Sequence, residues 1–268
     1  MVYYCRRIIM ERTRPRNEHA IMKLRECLTI AIGLIVFATA ITTSAPSAIA
    51  QTIRVACVGD SITRGASIPD PAVNTYPAQL NSLLGKDYEV RNFGVSGATA
   101  QKQGDVAYWN LEEFKAVAKF QPAIIIIALG TNDSKPRNWQ DADTFSADLT
   151  ALIKHFRSFP NTPRVFVCTP VPVYKDAFTI SQETVRDEVV PAIHDLAAKT
   201  DTPLIDLHRA LSNRSGDFPD GVHPNAAGAK QIAATVASAI KNQKPANHPH
   251  PKLPPPKSPQ RTLGLPWR

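Results

Sequence analysis

Two short segments far apart in the chain carry a serine, a histidine and an aspartate. Gly59-Asp60-Ser61-Ile62-Thr63-Arg64-Gly65 supplies the serine, and Asp220-Gly221-Val222-His223-Pro224 supplies the other two. A serine hydroxyl is a weak nucleophile until a base takes its proton, and that base needs a third group to orient it. Asp220 and His223 are three residues apart, so one tight turn can set the carboxylate beside the imidazole. Ser61 then has to reach them through the fold. Ser61 as nucleophile, His223 as base and Asp220 as its orienting carboxylate are the candidate catalytic set.

Such a set needs a frame, and the chain alternates apolar runs with amphipathic segments. Strands are predicted over residues 52–58, 88–93, 123–129, 165–169 and 203–207. Helices are predicted over 76–84, 111–120, 145–159, 183–199 and 226–240. The run at 123–129 holds four consecutive isoleucines, Ile124 to Ile127, which suits a strand buried on both faces. In the helix predicted at 145–159, Leu149, Leu152, Ile153 and Phe156 recur at helical spacing. This β/α alternation predicts an α/β fold with a parallel sheet covered by helices on both sides.

In open α/β sheets, ligands bind at the carboxyl ends of the strands. Three glycine-containing segments fall there: Gly59-Asp60-Ser61, Asn92 to Thr99 with Gly94 and Gly97, and Gly130-Thr131-Asn132-Asp133. The N–H groups of Ser61 and Gly97 and the side-chain amide of Asn132 could form an oxyanion hole, donating to the negative oxygen that develops in acyl transfer.

These segments resemble the four blocks of the SGNH (GDSL) hydrolase superfamily, named after Ser, Gly, Asn and His. Ser61, Gly97, Asn132 and His223 match them in order, over roughly residues 52–240. The first block reads Gly-Asp-Ser-Ile, an apolar change at its last position. The resemblance implies a flavodoxin-like three-layer α/β/α fold with a central parallel sheet, and hydrolysis of ester bonds without a cofactor. No Gly-x-Ser-x-Gly elbow occurs, which disfavours the ordinary α/β-hydrolase arrangement. Asn74-Thr75-Tyr76-Pro77, Gly130 to Pro136 and Trp139 further resemble secreted carbohydrate O-acetylesterases of that superfamily, including sialate-type ones.

Other residues have competing readings. Ser96 is a rival serine that more simply shapes the loop presenting Gly97. Asp60 positions its loop through backbone hydrogen bonds, and Asp133 is structural. His208, near Asp206, is the other conceivable base; His155 and His194 sit within helical patterns at the surface or its boundary. Trp139, Tyr108 and Trp109 are candidates for a sugar-stacking platform, and Lys135 and Arg64 for contacts to an acidic sugar, against a default of loop packing and surface charge.

Composition narrows the function classes. The 268 residues carry 31 Lys/Arg and 23 Asp/Glu. Residues 1–50 hold 7 and 3 of these, and residues 241–268 hold 6 and none, which leaves 18 basic and 20 acidic residues between. The basic excess therefore lies at the ends, and no basic stripe marks a nucleic-acid partner. Lys23 and Arg25, the apolar run 28–40 and Ala48-Ile49-Ala50 read as an export signal cleaved after Ala50, with Met22 a plausible start. The apolar run is shorter than the ~20 residues of a spanning helix, so no stable membrane insertion is expected after cleavage.

The expected organisation is an extension and signal peptide at 1–50, the hydrolase domain at 51–240 and a Pro/Lys-rich tail at 241–268 that cannot bury a core. Cys57 and Cys168 are expected to be buried free thiols, and no Cys/His spacing suggests a metal. The expected function is an exported serine esterase that removes O-acetyl groups from a small-molecule or glycan ester. The alternatives are a lysophospholipase or acyl thioesterase with aliphatic substrates, and a carbohydrate-binding protein without turnover. Phosphate binding is disfavoured because neither a P-loop nor a dinucleotide fingerprint is present.

Overall fold

A computed structural model of the protein describes residues 52–242. The leader read in residues 1–50 and the tail beyond 242 lie outside the described residues. Five parallel strands form one sheet in the order β2-β1-β3-β4-β5: β1 Ile53–Gly59, β2 Tyr88–Gly94, β3 Ile124–Ala128, β4 Arg164–Cys168 and β5 Leu204–Ile205. This is the flavodoxin-like order, with its topological switch between β1 and β3.

Helices cover both faces. The main ones are α1 Ser61–Arg64, α2 Tyr76–Leu84, α3 Glu112–Phe120, α4 Ala142–Arg157, α5 Val190–Lys199 and α6 Ala226–Asn242. Side chains alternate across a strand, so the two buried strands feed two cores. Ala56, Val58, Ile125 and Ile127 pack with residues of α3, α4 and α5, such as Val117, Leu149, Leu152 and Ile193. Val55, Cys57, Ile124 and Ile126 pack with residues of α2 and α6, such as Leu80, Ile232 and Val236. The four isoleucines of β3 thus serve both layers. Each buried one contributes roughly 1.5–3 kcal/mol from transfer out of water.

The helix predicted at 183–199 is interrupted. Gln182–Thr184 is a short α-turn, Val185–Val189 is π-helical, and only then does α5 begin. Pro191 explains this. It has no N–H to give the carbonyl four residues back, and its ring crowds that carbonyl. The ladder therefore widens before it, and the Val190 N–H donates to Val185 O. The predicted strand at 203–207 also shortens, because the Asp206 side chain accepts the Arg209 N–H and opens a new helical turn over Leu207–Leu211.

Cys57 and Cys168 are unpaired and buried. Burial pushes the Cys57 thiol up to about 12, so it holds its proton and is inert. No helix among the described residues is long and apolar enough to cross a membrane.

Ile126 is fully buried between α2 and α6 on one side of β3. Ile126→Ala should lower unfolding free energy by about 2–5 kcal/mol in a urea titration, with the slope unchanged, because the packed helices cannot close the cavity.

Candidate active site

β1 ends at Gly59, and Asp60 caps the turn that follows. The Asp60 Oδ1 atom accepts the Ile62 N–H at 2.9 Å, which leaves Ser61 as the first residue of α1. Two contacts, one buried and one part-buried, hold this turn. Thr63 Oγ1 donates to the Tyr76 hydroxyl at 3.3 Å, and the Asn92 amide donates to Thr63 O at 2.8 Å. Gly94, at the end of β2, lies so close that a Cβ there would sit 2.4 Å from Arg64 N and 2.8 Å from Asp60 O. The Asn74-Thr75-Tyr76-Pro77 segment therefore supports the Ser61 turn through Tyr76, while Thr75 caps α2.

Ser61 meets His223. The serine hydroxyl lies 2.9 Å from Nε2, and Nδ1 lies 2.8 Å from Asp220 Oδ2. Asp220 Oδ1 accepts the N–H groups of Val222 at 2.9 Å and His223 at 2.7 Å. Partial burial raises the Asp220 pKa, but the His223 and Val222 N–H bonds and the imidazole contact outweigh it, and the carboxyl ends below its ordinary value. An ionised carboxylate only accepts, so Nδ1 carries the ring proton of a neutral His223. Nε2 is then the lone pair that accepts from Ser61. The tautomer follows from the acceptors around it.

The segment after β4 clamps the His223 loop. Tyr174 N–H donates to Gly221 O at 2.8 Å, and the Tyr174 ring packs 5.1 Å from that of Phe218. Val173, Ile180, Val185 and Val222 form a small apolar cluster of their own. Gly221 has φ +85°, and a Cβ there would lie 2.7 Å from Lys175 Cβ.

The loops after β2 and β3 are bound to each other by buried polar groups. Asp133 accepts the N–H of Ala100 at 3.0 Å and of Gln101 at 2.9 Å. The Asn138 amide donates to Asn132 O and to Asp105 Oδ1, and the Gln101 amide donates to Asn138 O. Asn132 itself donates one amide hydrogen to Ala98 O at 3.2 Å. Among the described residues, its second hydrogen and the Gly97 N–H have no protein acceptor. Ser61 N–H, at the first helical position, has none within its helix.

Two carboxyls lie beneath these loops. Burial pushes Asp60 up to about 6, partly offset by the Ile62 N–H, Thr131 and the charge of His223. Burial likewise pushes Asp133 up to about 6 against its two N–H donors, and the charge of Asp60 adds to the rise. Among the described residues, Asp60 Oδ2 has no hydrogen-bond partner.

The stacking candidates fare unevenly. Tyr108 is fully buried and its hydroxyl donates to Phe93 O at 2.9 Å, so it is a core residue and no platform. Trp109 donates to Ala100 O, packs on Phe114, and carries the Lys102 ammonium 4.8 Å over its ring, so that face is taken. Both corrections have one cause: the loop folds its aromatics inward against α3. Trp139 is half-buried, bonded to Glu188 on the π-turn at 2.7 Å. Lys135 follows Asn132 and uses its carbonyl to close the turn that carries Trp139. His208 does not meet Ser61; its N–H is held by Thr169 Oγ1.

Asp133 is structural, as read from the sequence, but the sequence reading missed Asn138, whose bond from the Asp105 N–H spans 33 residues and follows no period. It also missed Phe178, whose ring lies 5.1 Å from that of His223 in a T-shaped pair. Phe178 and Thr179 have φ of +54° and +60° in succession. For residues with a Cβ, each such conformation costs on the order of 1–3 kcal/mol.

Gly221→Ala should lower stability by about 1–3 kcal/mol in thermal melts and reduce turnover by moving His223, since both φ and the contact with Lys175 oppose it. Asp60→Asn should change a pH dependence. The folded state holds the Asp60 proton more tightly than the unfolded chain does. Wild-type stability relative to the variant therefore falls as pH rises from the ordinary carboxylate range through about 6. The stability difference, measured by urea titration at about pH 4 and 7.5, should shift by about 2 kcal/mol in favour of Asp60→Asn.

Known proteins carry the same arrangement of elements. Residues 57–231 match the profile of the GDSL-like lipase/acylhydrolase family. An acetylxylan esterase of Xylanibacter ruminicola is 40% identical over 217 residues, 74% of this chain. The chain spans 45% of that relative's length. The fold is similar to that of the Mycobacterium smegmatis aryl esterase, with a TM-score of 0.61 at 21% identity over 71% of this chain and 99% of that one. It is similar to Est24, a carbohydrate acetylesterase from Sinorhizobium meliloti, with a TM-score of 0.59 at 20% identity over 71% and 99%. The ordered blocks, the parallel sheet and the profile match agree: the chain belongs to the GDSL-like lipase/acylhydrolase family.

Proposed function

We propose that the protein is an exported serine esterase that removes O-acetyl groups from carbohydrate. The observation that carries the proposal is the unbroken hydrogen-bond chain from Ser61 through His223 to an ionised Asp220. The identity to an acetylxylan esterase supports the acetyl group and the sugar. Export rests on the leader read in the sequence.

In this reading His223 Nε2 takes the Ser61 proton as Oγ attacks the ester carbonyl. The carbonyl oxygen becomes an oxyanion held by the N–H groups of Ser61 and Gly97 and the free amide hydrogen of Asn132. Asp220 steadies the imidazolium without taking its proton. The tetrahedral intermediate collapses, the bond to the alcohol breaks, and His223 hands its proton to the leaving oxygen. Water, deprotonated by the same nitrogen, then attacks the acyl-serine and releases acetate and Ser61. Gly97 and Asn132 share a rigid base through Asp133, so these donors are placed before the charge forms.

The test is hydrolysis of p-nitrophenyl acetate, butyrate and octanoate and of acetylated xylo-oligosaccharides. Ser61→Ala should lower kcat by about 10⁴-fold or more. Asn132→Ala should lower kcat by roughly 10²–10³-fold with little change in KM, because its contact matters most in the transition state. Preference for acetate and release of acetate from the oligosaccharides are expected. Octanoate preference would move the substrate to lipids, and turnover independent of Ser61 would sink the mechanism.

A further inference from the structure

The turn that carries Phe178 packs its flanking Ala177 and Ile180 into the apolar cluster but leaves the Phe178 side chain itself unburied. Ile180 N–H donates to Ala177 O at 2.8 Å, and both central residues have positive φ, the pattern of a type I′ turn. That turn favours Asn-Gly, yet Phe-Thr occupies it here. A bulky side chain in such a conformation is normally held there by burial. Phe178 is 58% exposed, so packing does not account for it. What the turn does achieve is to set an aromatic ring against the imidazole of His223, 5.1 Å centre to centre. Backbone strain of this sort gathers where a ligand is gripped.

We propose that Phe178 is a substrate-contacting residue that stacks on the pyranose ring of the alcohol part of the ester; the proposal rests on the carbohydrate esterase reading above. The side follows from the chemistry. The leaving oxygen must come within reach of His223 Nε2 to receive its proton, whereas the carbonyl oxygen points to donors on the loops after β1, β2 and β3. A ring packed on His223 therefore borders the alcohol. The class follows from the neighbours. Lys175, Asp176 and Thr179 around Phe178 are all exposed and polar. An alkyl chain needs an enclosed apolar groove, which a single exposed ring among polar groups does not make. A pyranose has an apolar C–H face for the ring and hydroxyls at its rim for the polar neighbours. Trp139, by contrast, spends its indole N–H on Glu188.

The test compares wild type, Phe178→Gly and Phe178→Tyr on acetylated xylotriose, glucose pentaacetate and ethyl acetate. Ethyl acetate shares the acyl group and has no ring to stack. Phe178→Gly should lower kcat/KM for both sugar esters about tenfold, mainly through KM, and leave ethyl acetate within about twofold. Its melting temperature should stay level or rise, because glycine relieves the turn. Phe178→Tyr should keep most of the sugar-ester activity. Equal losses on all three esters would mean that Phe178 merely positions His223 and would overturn the proposal, as would undiminished sugar-ester turnover in the glycine variant. Wild-type enzyme that hydrolyses ethyl acetate through Ser61 but neither sugar ester would instead overturn the carbohydrate reading, and this subsite with it.

Discussion

The parallel pairing of β1 with β3 is the constraint on which the other features depend. In that register Val58 stands beside Ile127 and Gly59 beside Ala128, so the turn bearing Ser61 and the loop bearing Asn132 leave the sheet side by side. The same register sorts alternate side chains into the two cores, and a slip of one residue would exchange them. Burial of the isoleucine run thus fixes more than stability. It sets the axial level at which two chemically important loops begin. β2 adds the Gly97 loop on one flank, and β4 adds the clamp for His223 on the other.

Beyond the ends of the strands, polar contacts replace hydrophobic ones as the source of order. Asp133 and Asn138 tie the Gly97 and Asn132 loops, while Asp220 organises its own turn and the imidazole together. The three carboxyls differ by environment. Asp220 is partly exposed and richly supplied with donors, so it ionises readily. Asp60 and Asp133 are fully buried, which raises both, and the charge of Asp60 raises Asp133 further. The site therefore combines one firmly ionised carboxylate with two reluctant ones beneath the loops.

The sheet and the Asp220–His223 pair were legible in the sequence because each is written in local signals, whereas Ser61, 162 residues from His223, was joined to that pair by the order of the four blocks. Strand runs are continuous, helices repeat every three or four residues, and Asp220 and His223 share one turn. The π-turn before Pro191 was not read, although the proline itself was visible; its effect depends on how the preceding residues satisfy their carbonyls. Tyr108 and Trp109 were misread because composition does not tell which way a loop folds its aromatics. Asn138 reaches Asp105 and Phe178 reaches His223 across more than thirty residues, and no periodic pattern links such partners.

The clamp between the segment after β4 and the His223 loop bears on how such an enzyme can diversify. Tyr174 and Gly221 share a hydrogen bond, Lys175 fills the space that a side chain at Gly221 would need, and Val173, Ile180 and Val222 pack together. Neither segment can lengthen or shorten without its counterpart. A graft of one loop alone from a relative would leave mismatched surfaces at the histidine, whereas transplanting residues 170–181 with 218–225 would carry the fit intact. The two stretches form one inheritable cassette, although the helix α5 and the strand β5 separate them in the sequence.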